Sequence, residues 1–235
     1  GVMKRIAMVS IILLWGLRPD PGQAAEVRYE LGLLSHYSWR GITLTDDPVF
    51  QPGLEISHET GISLEVWGNA DLGDDNDTRW EINELRVAGE YGWRTDPFRF
   101  RVGLIEYLFP NAPFPGTREV FARLEYPRFV APRLTVYYDF DEIEGVYADL
   151  AIEYDHRLGQ LWNLEAVLGA GFADSAFAIG PDSGFHDGRM ELGLEMVVHG
   201  YSLELQAAYT DSLDRRVLPD QPVGLWGGFV VSKSF

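Results

Sequence analysis

Two residues best suited to chemistry, His36 and Ser38, stand two positions apart in the segment "SHYSWRGITLTDD". On an extended strand, residues two positions apart point to the same face, so the imidazole and the hydroxyl would lie side by side. A general base next to a nucleophile is the arrangement of a hydrolase, and on a membrane protein it would modify lipid. No acidic residue that would orient the histidine is identifiable nearby, and this pairing often arises by chance. We therefore predict no catalytic residue and no enzyme activity.

Metal-binding patterns are equally weak in this sequence. The histidines other than His36 share no metal-ligand spacing. Residues 71–77, "DLGDDND", gather carboxylates of the kind that bind Ca²⁺. The EF-hand pattern with its distal glutamate is absent, so we interpret the run as a solvated acidic loop, with divalent cations bridging lipopolysaccharide as an alternative. The sequence predicts no metal site and no cofactor.

The first residues have the layout of a secretory signal peptide. Met3, Lys4 and Arg5 are followed by an apolar run over 6–17 and an exit rich in small residues. The apolar run is too short to span a bilayer, and a buried N-terminal helix is the alternative. We predict a signal peptide at 1–25, which is removed, and one domain at 26–235.

Net charge and cysteine content narrow the partners and the source of stability. The formal net charge is −17, which argues against a nucleic-acid partner because phosphate contacts need a basic surface. The chain has no cysteine, so an exported protein of this sequence has no disulfide to stabilise it.

After residue 25 the hydrophobic pattern repeats every two residues, as in strands with one apolar and one polar face. About a dozen such runs follow, and a break in the alternation between Ile82 and Leu85 predicts a β-bulge. Connections alternate between long ones rich in Gly, Asp and Pro and short ones. This is the pattern of an all-β, up-and-down antiparallel transmembrane β-barrel of about 12 strands. A soluble β-sandwich or lipocalin-like barrel with the apolar face inward is the alternative.

Aromatic residues near the strand ends favour the membrane barrel, because such barrels carry aromatic girdles at both interfaces. The alternation places Tyr37 and Trp39 on the lipid face near the outer interface. The last strand ends at Phe235, which is typical of outer-membrane proteins, although Lys233 departs from their usual pattern.

The polar faces of the strands would line the lumen. Acids outnumber bases there, and every predicted cation is an arginine, which suits fixed pairs with carboxylates. The lining allows either a narrow channel that prefers cations or a lumen closed by Arg–Glu networks. The predicted lumen-lining residues are Arg28, Glu30, His36, Arg40, Glu55, Glu65, Arg86, Glu90, Arg99, Arg101, Glu119, Arg123, Glu125, Asp149, Glu153, Glu165, Glu191, Glu195 and Glu204.

The stretch 37–73 resembles the N-terminal signature of the TorF-like family of bacterial porins. The residues that carry the resemblance are Tyr37, Trp39, Arg40, Gly41, Asp46, Pro48, Gln51, Gly53, Gly61 and Trp67. This sequence departs from the family at Ile62 and Ser63, where an aromatic residue is usual. The resemblance implies an outer-membrane barrel of a Gram-negative bacterium with a porin function, and it supplies no catalytic residues.

We therefore expect a porin-like channel in the bacterial outer membrane for small solutes or ions, with a weak preference for cations. Its expected partners are outer-membrane lipid, lipopolysaccharide, small solutes and the barrel-assembly machinery, which would recognise the strand ending in Phe235. Two alternatives stay open: a closed structural or adhesive barrel acting through its outer loops, and a lipid-modifying hydrolase centred on His36 and Ser38.

Overall fold

The computed structural model describes residues 25–73, 80–222 and 224–235. Twelve strands close into one antiparallel barrel, and two more form a separate hairpin, β2–β3. The predicted signal peptide and most of the acidic run 71–77 lie outside the described residues. The strands are β1 (Ala25–Leu34), β2 (Tyr37–Trp39), β3 (Ile42–Thr45), β4 (Val49–His58), β5 (Ile62–Asp71), β6 (Ile82–Thr95), β7 (Phe98–Leu108), β8 (Thr117–Glu125), β9 (Ala131–Asp139), β10 (Val146–Leu158), β11 (Trp162–Ala173), β12 (Gly184–Val198), β13 (Tyr201–Ser212) and β14 (Leu225–Ser234).

The barrel closes where the first strand meets the last. β1 pairs with β14 over Arg28–Leu34, and its other edge pairs with β4 from Ala25 to Leu34. Each remaining barrel strand pairs with its neighbours in the chain, so the described barrel has no open edge. The predicted up-and-down antiparallel barrel of 12 strands is confirmed.

The two faces of the barrel wall differ as the alternation predicts. Apolar side chains on the outer face are exposed, with Leu33 at 53% and Leu205 at 58%. The carboxylates of Glu119, Asp139 and Asp149 are buried on the inner face. A protein in water does not leave a continuous apolar belt uncovered, because that surface is driven out of water. The lipocalin-like alternative, with its apolar face inward, is therefore wrong.

The two ends of the barrel differ in their connections. At one end, here called the turn end, short turns join the strands, and Gly61, Gly159 and Gly200 take the positive φ that these turns require. At the other, the loop end, the connections are longer, for example 109–116, 174–183 and 213–224. Among the described residues no helix is long and apolar enough to cross a membrane.

The predicted bulge is confirmed. Asn69 pairs with Glu84, but its neighbour Ala70 pairs with Ile82, so Asn83 is the additional residue. The Asn83 side-chain oxygen accepts a hydrogen bond from Asn69 Nδ2 at 2.8 Å, and Asn69 in turn accepts one from Gln51 at 2.9 Å. The bulge therefore places Asn83 in a hydrogen-bond network inside the barrel.

The prediction that Tyr37 and Trp39 sit on the lipid face is wrong. Both belong to hairpin β2–β3, which is not part of the wall and folds inward between β1 and β4. Tyr37 is buried and packs with Leu34, Val49 and Val230. The barrel interior is too wide for wall side chains to fill, so burying this aromatic hairpin recovers apolar contacts there.

The turn glycines offer a test of the turn end. A Cβ at Gly61 would lie 2.0 Å from the carbonyl oxygen of Gly92, whereas a Cβ at Gly159 would meet nothing within 4 Å. Both glycines have positive φ, at 92° and 77°. We expect Gly61→Ala to lower the free energy of unfolding by about 3 kcal/mol and Gly159→Ala by about 1 kcal/mol, because only the first adds a clash to the backbone strain. Urea unfolding in lipid vesicles measures both, and equal losses would contradict this packing.

Candidate functional site

Hairpin β2–β3 crosses the barrel interior. Its strands leave the wall between β1 and β4, and its tip, Arg40–Gly41, reaches Glu119 on β8 and Asp187 on β12. Arg40 and Gly41 have φ values of 50° and 79°, and Trp39 pairs with Ile42 across the turn. A two-residue hairpin turn with both φ values positive explains the glycine at its second position. A Cβ on Gly41 would lie 2.4 Å from the Cβ of Asp187, so the turn also packs too closely for a side chain.

The guanidinium of Arg40 fixes the tip to the wall. Its Nη1 and Nη2 each donate a hydrogen bond of 2.7 Å to one carboxylate oxygen of Glu119. Glu119 is fully buried and also accepts a hydrogen bond from the Tyr107 hydroxyl at 3.1 Å. A two-pronged pair of this kind fixes orientation as well as distance.

Aromatic rings surround the same guanidinium. Its central carbon lies 4.1 Å from the ring centre of Tyr137, 4.5 Å from that of Trp39 and 4.8 Å from that of Tyr147. Burial lowers the pKa of Arg40, but the neighbouring Tyr107 and Glu119 outweigh it and the pKa is raised. The hairpin tip is therefore a permanent cation held in an aromatic cage.

The flanks of the hairpin are also tied to their surroundings. The Tyr37 hydroxyl donates to Glu84 at 3.3 Å, and its ring packs on Trp67 at 5.5 Å between centres. The backbone N–H of Thr43 donates to the side chain of Gln221 at 3.0 Å, so the loop 213–224 also holds it. The hairpin is thus attached to both the wall and a loop-end connection.

His36 lies inside the barrel at the base of the hairpin. It is 2% exposed and its ring meets Trp226 edge-on at 5.8 Å. Neither ring nitrogen has a hydrogen-bond partner among the described residues, so the ring does not hydrogen-bond Ser38. Burial lowers the pKa of His36, and Asp46 opposes that shift only in part. The ring is therefore neutral near pH 7.

A cavity lies on each side of the hairpin. The one towards the loop end has a volume of about 440 Å³ and is lined by Tyr37, Trp39, Tyr107 and the segment 111–115. The other, here called the inner chamber, has about 220 Å³ and lies towards the turn end of Arg40. Its lining residues are Ser38, Arg40, Gly41, Arg133, Tyr137, Tyr147, Asp149, Asp187, Arg189, Glu191, Thr210 and Trp226.

The strand register puts the predicted lumen residues that lie on strands at inward positions, alternating with exposed apolar residues. Several are joined in ion pairs, including Arg86–Glu65 at 2.6 Å, Arg101–Glu90 at 2.7 Å and Arg133–Glu153. The inward strand residues from that prediction are Arg28, Glu30, Glu55, Glu65, Arg86, Glu90, Arg99, Arg101, Glu119, Arg123, Glu125, Asp149, Glu153, Glu165, Glu191, Glu195 and Glu204.

Inward charges are unevenly distributed around the wall. Arg86, Arg99, Arg101, Arg123 and Arg133 lie on the adjacent strands β6 to β9. The carboxylates Glu165, Glu195 and Glu204 lie on β11 to β13 and have no arginine partner among the described residues. Their hydrogen bonds come instead from neutral groups, such as Asn163 and Ser202.

Sequence reasoning missed Asp187 and Trp226 as residues that face the lumen. Asp187 lies near the start of β12, which begins at Gly184, and it pairs with Ser212 on β13. Trp226 on β14 pairs with inward Ala208, so it faces the lumen as well. The glycines Gly169 and Gly171 were an available signal, since a Cβ there would meet Arg189 at 2.8 Å and Asp187 at 2.3 Å. Alternating inward glycines leave room for side chains of the next strand.

Comparison with known sequences places the chain among bacterial proteins. The sequence model of a family described as "Bacterial protein of unknown function (Gcw_chp)" matches residues 19–215. The chain belongs to this family. Among curated proteins none matches the sequence. The matching family model has a different name from the TorF-like family. The resemblance to the TorF-like family therefore stays a prediction.

Solved structures similar in fold to this member of the Gcw_chp family include two porins and an outer-membrane channel. The KdgM porin in complex with disordered oligogalacturonate is 10% identical with a TM-score of 0.59, covering 89% of this chain and 99% of that one. The NanC porin is 10% identical with a TM-score of 0.54, covering 89% and 98%. An outer-membrane channel from Pseudomonas putida F1 is 11% identical with a TM-score of 0.53, covering 93% and 100%. At such low sequence identity, the similarity shows a shared fold and nothing more.

The Arg40–Glu119 pair predicts a local stability effect. Replacing Glu119 by Gln leaves the buried guanidinium without its counter-charge, whereas adding Arg40→Met removes that charge too. We expect Glu119→Gln to lower the opening free energy of the hairpin amides by about 3 kcal/mol, and the double variant to recover part of the loss. Hydrogen exchange of Ser38–Thr43 measures this.

Glu65→Gln serves as the control for this test. Its pair with Arg86 is partly exposed, with side chains 38% and 29% accessible, so its loss changes hairpin exchange little. If the double variant loses as much opening free energy as Arg40→Met and Glu119→Gln lose together, the ion pair does not hold the hairpin.

His36 predicts a dependence of stability on pH. Its pKa is lowered from 6.5 in the folded protein, so below that pH the unfolded chain binds a proton that the fold excludes. This contribution makes the free energy of unfolding fall as the pH drops below about 6.5. We expect urea unfolding at several pH values to show that the free energy of unfolding falls less steeply with decreasing pH in His36→Phe than in the natural protein. Parallel curves would contradict a neutral buried ring.

Proposed function

We propose that the protein is an outer-membrane channel through which small polar solutes pass passively, with hairpin β2–β3 as its constriction. The observation that carries the proposal is a closed barrel with an apolar outside, a charged inside and a folded segment across the lumen. An apolar outer belt fits lipid, and a charged interior fits water and polar solutes. The similarity to outer-membrane channels in fold supports this reading.

The orientation follows the usual arrangement of such barrels, with short turns in the periplasm and longer loops outside. The proposed route is export by the signal peptide at 1–25 and insertion by the barrel-assembly machinery through the final strand. At the turn end Phe235 is exposed, its ring lies 5.6 Å from Tyr29, and Lys233 lies 4.7 Å from it. An aromatic cluster with an outward lysine suits the phosphate level of a lipid leaflet. Lipopolysaccharide is the proposed contact at the loop end.

A weak preference for cations is part of the proposal. Glu165, Glu195 and Glu204 form a stretch of wall in which none of the three makes an ion pair with an arginine among the described residues. The arginines of β6 to β9 share their charge with carboxylates such as Glu90 and Glu153. Mobile cations are therefore favoured over anions in the half of the lumen near the turn end.

A closed structural or adhesive barrel is the second candidate. The hairpin reaches both β8 and β12, and at this level Glu119, Asp139 and His186 are shielded from solvent. If the hairpin remains in the lumen, its contacts fill the cross-section of the barrel. The loops at the loop end then carry the function. The hydrolase alternative has no such support, because His36 and Ser38 lie inside the barrel, away from lipid.

Planar-bilayer recording of the refolded full chain tests the channel. We expect small conductance steps in the natural protein, and a rise of about twofold or more in Glu119→Gln, because loosening the hairpin widens the constriction. In a salt gradient the reversal potential should show cation preference, and replacing Glu165, Glu195 and Glu204 together by Gln should abolish it.

The control for selectivity is Glu59→Gln in the exposed turn between β4 and β5, which should leave the reversal potential unchanged. Absence of steps in both the natural protein and Glu119→Gln would favour the closed barrel. An anion-selective reversal potential would refute the cation preference while leaving the channel intact.

A further inference from the structure

The cavity on the loop-end side of hairpin β2–β3, here called the outer cavity, has the dimensions of a ligand site. Its volume of about 440 Å³ lies within the range of sites that hold small molecules. The hairpin forms one wall, and the connection 109–116 between β7 and β8 forms most of another. The rim residues Pro113 and Phe114 are exposed, so a molecule from outside can reach the cavity.

Aromatic side chains from both walls border the outer cavity. Trp39 of the hairpin meets Tyr107 edge-on at 5.8 Å between ring centres, and Phe109 meets Phe114 edge-on at 6.0 Å. All four rings belong to the lining. Because aromatic rings attract one another in edge-on and offset arrangements, this lining suits a flat aromatic ligand.

The connection that forms the second wall is held in shape without a ligand. It contains Pro110, Pro113 and Pro115, and each proline fixes its own φ angle. The side-chain amide of Asn111 donates a hydrogen bond of 2.9 Å to the carbonyl oxygen of Ile82, which fastens the connection to β6. A wall that is already ordered costs little conformational entropy when a ligand binds.

Buried polar side chains of the lining are engaged with protein partners. Glu84 accepts a hydrogen bond from the Tyr37 hydroxyl at 3.3 Å, and the Thr117 hydroxyl donates to Asp139 at 2.6 Å. The hydroxyl of Tyr107 donates to a wall carboxylate at 3.1 Å. A sugar that replaced water in this cavity would therefore find these groups occupied, whereas an apolar ligand needs none of them.

The carboxylate of Glu84 does not turn the outer cavity into a cation site. Glu84 is 3% exposed, and both Arg86 and Arg40 act on it electrostatically. Since the protein supplies these opposite charges itself, a ligand has no need to bring one. The lining favours a neutral ligand.

We propose that the outer cavity binds a neutral aromatic molecule of two or three fused rings. An apolar cavity of about 150 Å³ holds one benzene molecule, so a cavity of about 440 Å³ has space for a larger fused system. Such a ligand covers Trp39, Phe109 and Phe114, and removal of their apolar surface from water drives binding.

This site goes beyond the proposed channel for polar solutes. It lies on the opposite side of the hairpin from the carboxylates of β11 to β13, and binding there requires no conducting pore. Lack of binding leaves the channel proposal intact, and a barrel without conductance steps leaves the outer cavity as a binding site. The two proposals can therefore fail separately.

Equilibrium dialysis of labelled naphthalene against the refolded full chain in lipid nanodiscs tests the outer cavity. Empty nanodiscs in parallel measure the probe that dissolves in lipid, which does not saturate. We expect an additional saturable component with the natural protein. Phe114→Ala removes a ring from the exposed rim, and we expect about fivefold weaker binding. Ala112→Trp adds an indole to the lining, and we expect binding weakened by about tenfold or more because the side chain occupies the cavity.

Matched controls lie at the turn end, away from the outer cavity. Phe129→Ala removes a ring that is 75% exposed between β8 and β9, and Gln160→Trp adds an indole to the exposed turn between β10 and β11. Both should bind naphthalene as the natural protein does. Each variant is checked for folding by its heat-dependent gel migration. Equal affinity in Phe114→Ala and Phe129→Ala would overturn the proposal.

Competition with unlabelled molecules tests the class of ligand. Phenol and cyclohexanol have a similar size and the same hydroxyl group, but only phenol is aromatic. We expect phenol to displace naphthalene from the saturable component at about threefold lower free concentration than cyclohexanol, and glucose to displace none. Absence of a saturable component, equal displacement by the two alcohols, or displacement by glucose would each overturn the proposal.

Discussion

The interior of this barrel depends on one buried ion pair, that of Arg40 with Glu119. A guanidinium taken out of water is tolerated only with a counter-charge and further contacts, and Arg40 has both, in the carboxylate and in the surrounding aromatic rings. Because the pair joins the tip of hairpin β2–β3 to β8, it holds a folded segment across the lumen. The two cavities, and with them the proposed constriction, exist because this segment is in place.

Stability in this cysteine-free chain comes from closure and from the packing of its interior. The wall has no open edge, since β1 pairs with both β14 and β4. Inside, arginines on β6 to β9 pair with nearby carboxylates, and tyrosines such as Tyr107 and Tyr147 donate to buried acids. These contacts satisfy charges that the lumen would otherwise leave half-desolvated. Among the described residues, they also leave a few carboxylates on β11 to β13 without an ion-pair partner, which is the basis of the proposed selectivity.

Much of the wall was predictable because its signal is local. Alternation of apolar and polar residues sets which side chains face inward, as for Glu119 and Asp149, and the bulge at Asn83 follows from the break in that alternation. The hairpin was not predictable in this way. Tyr37 and Trp39 continue the alternation of β1, but their partners, Glu84, Trp67 and Tyr107, lie far along the chain.

Residues that are close in the chain account for the number and rhythm of the strands, the apolar outside and the charged inside. Each of these depends on residues that are close in the chain or on a repeat of two. Three other features follow only from the closed fold: the segment 37–45 folds into the lumen, Arg40 meets Glu119, and Asp187, Trp226 and Arg133 border one chamber. Barrel closure brings strands that are distant in sequence around a common space, and the contacts across that space have no periodic signature in the chain.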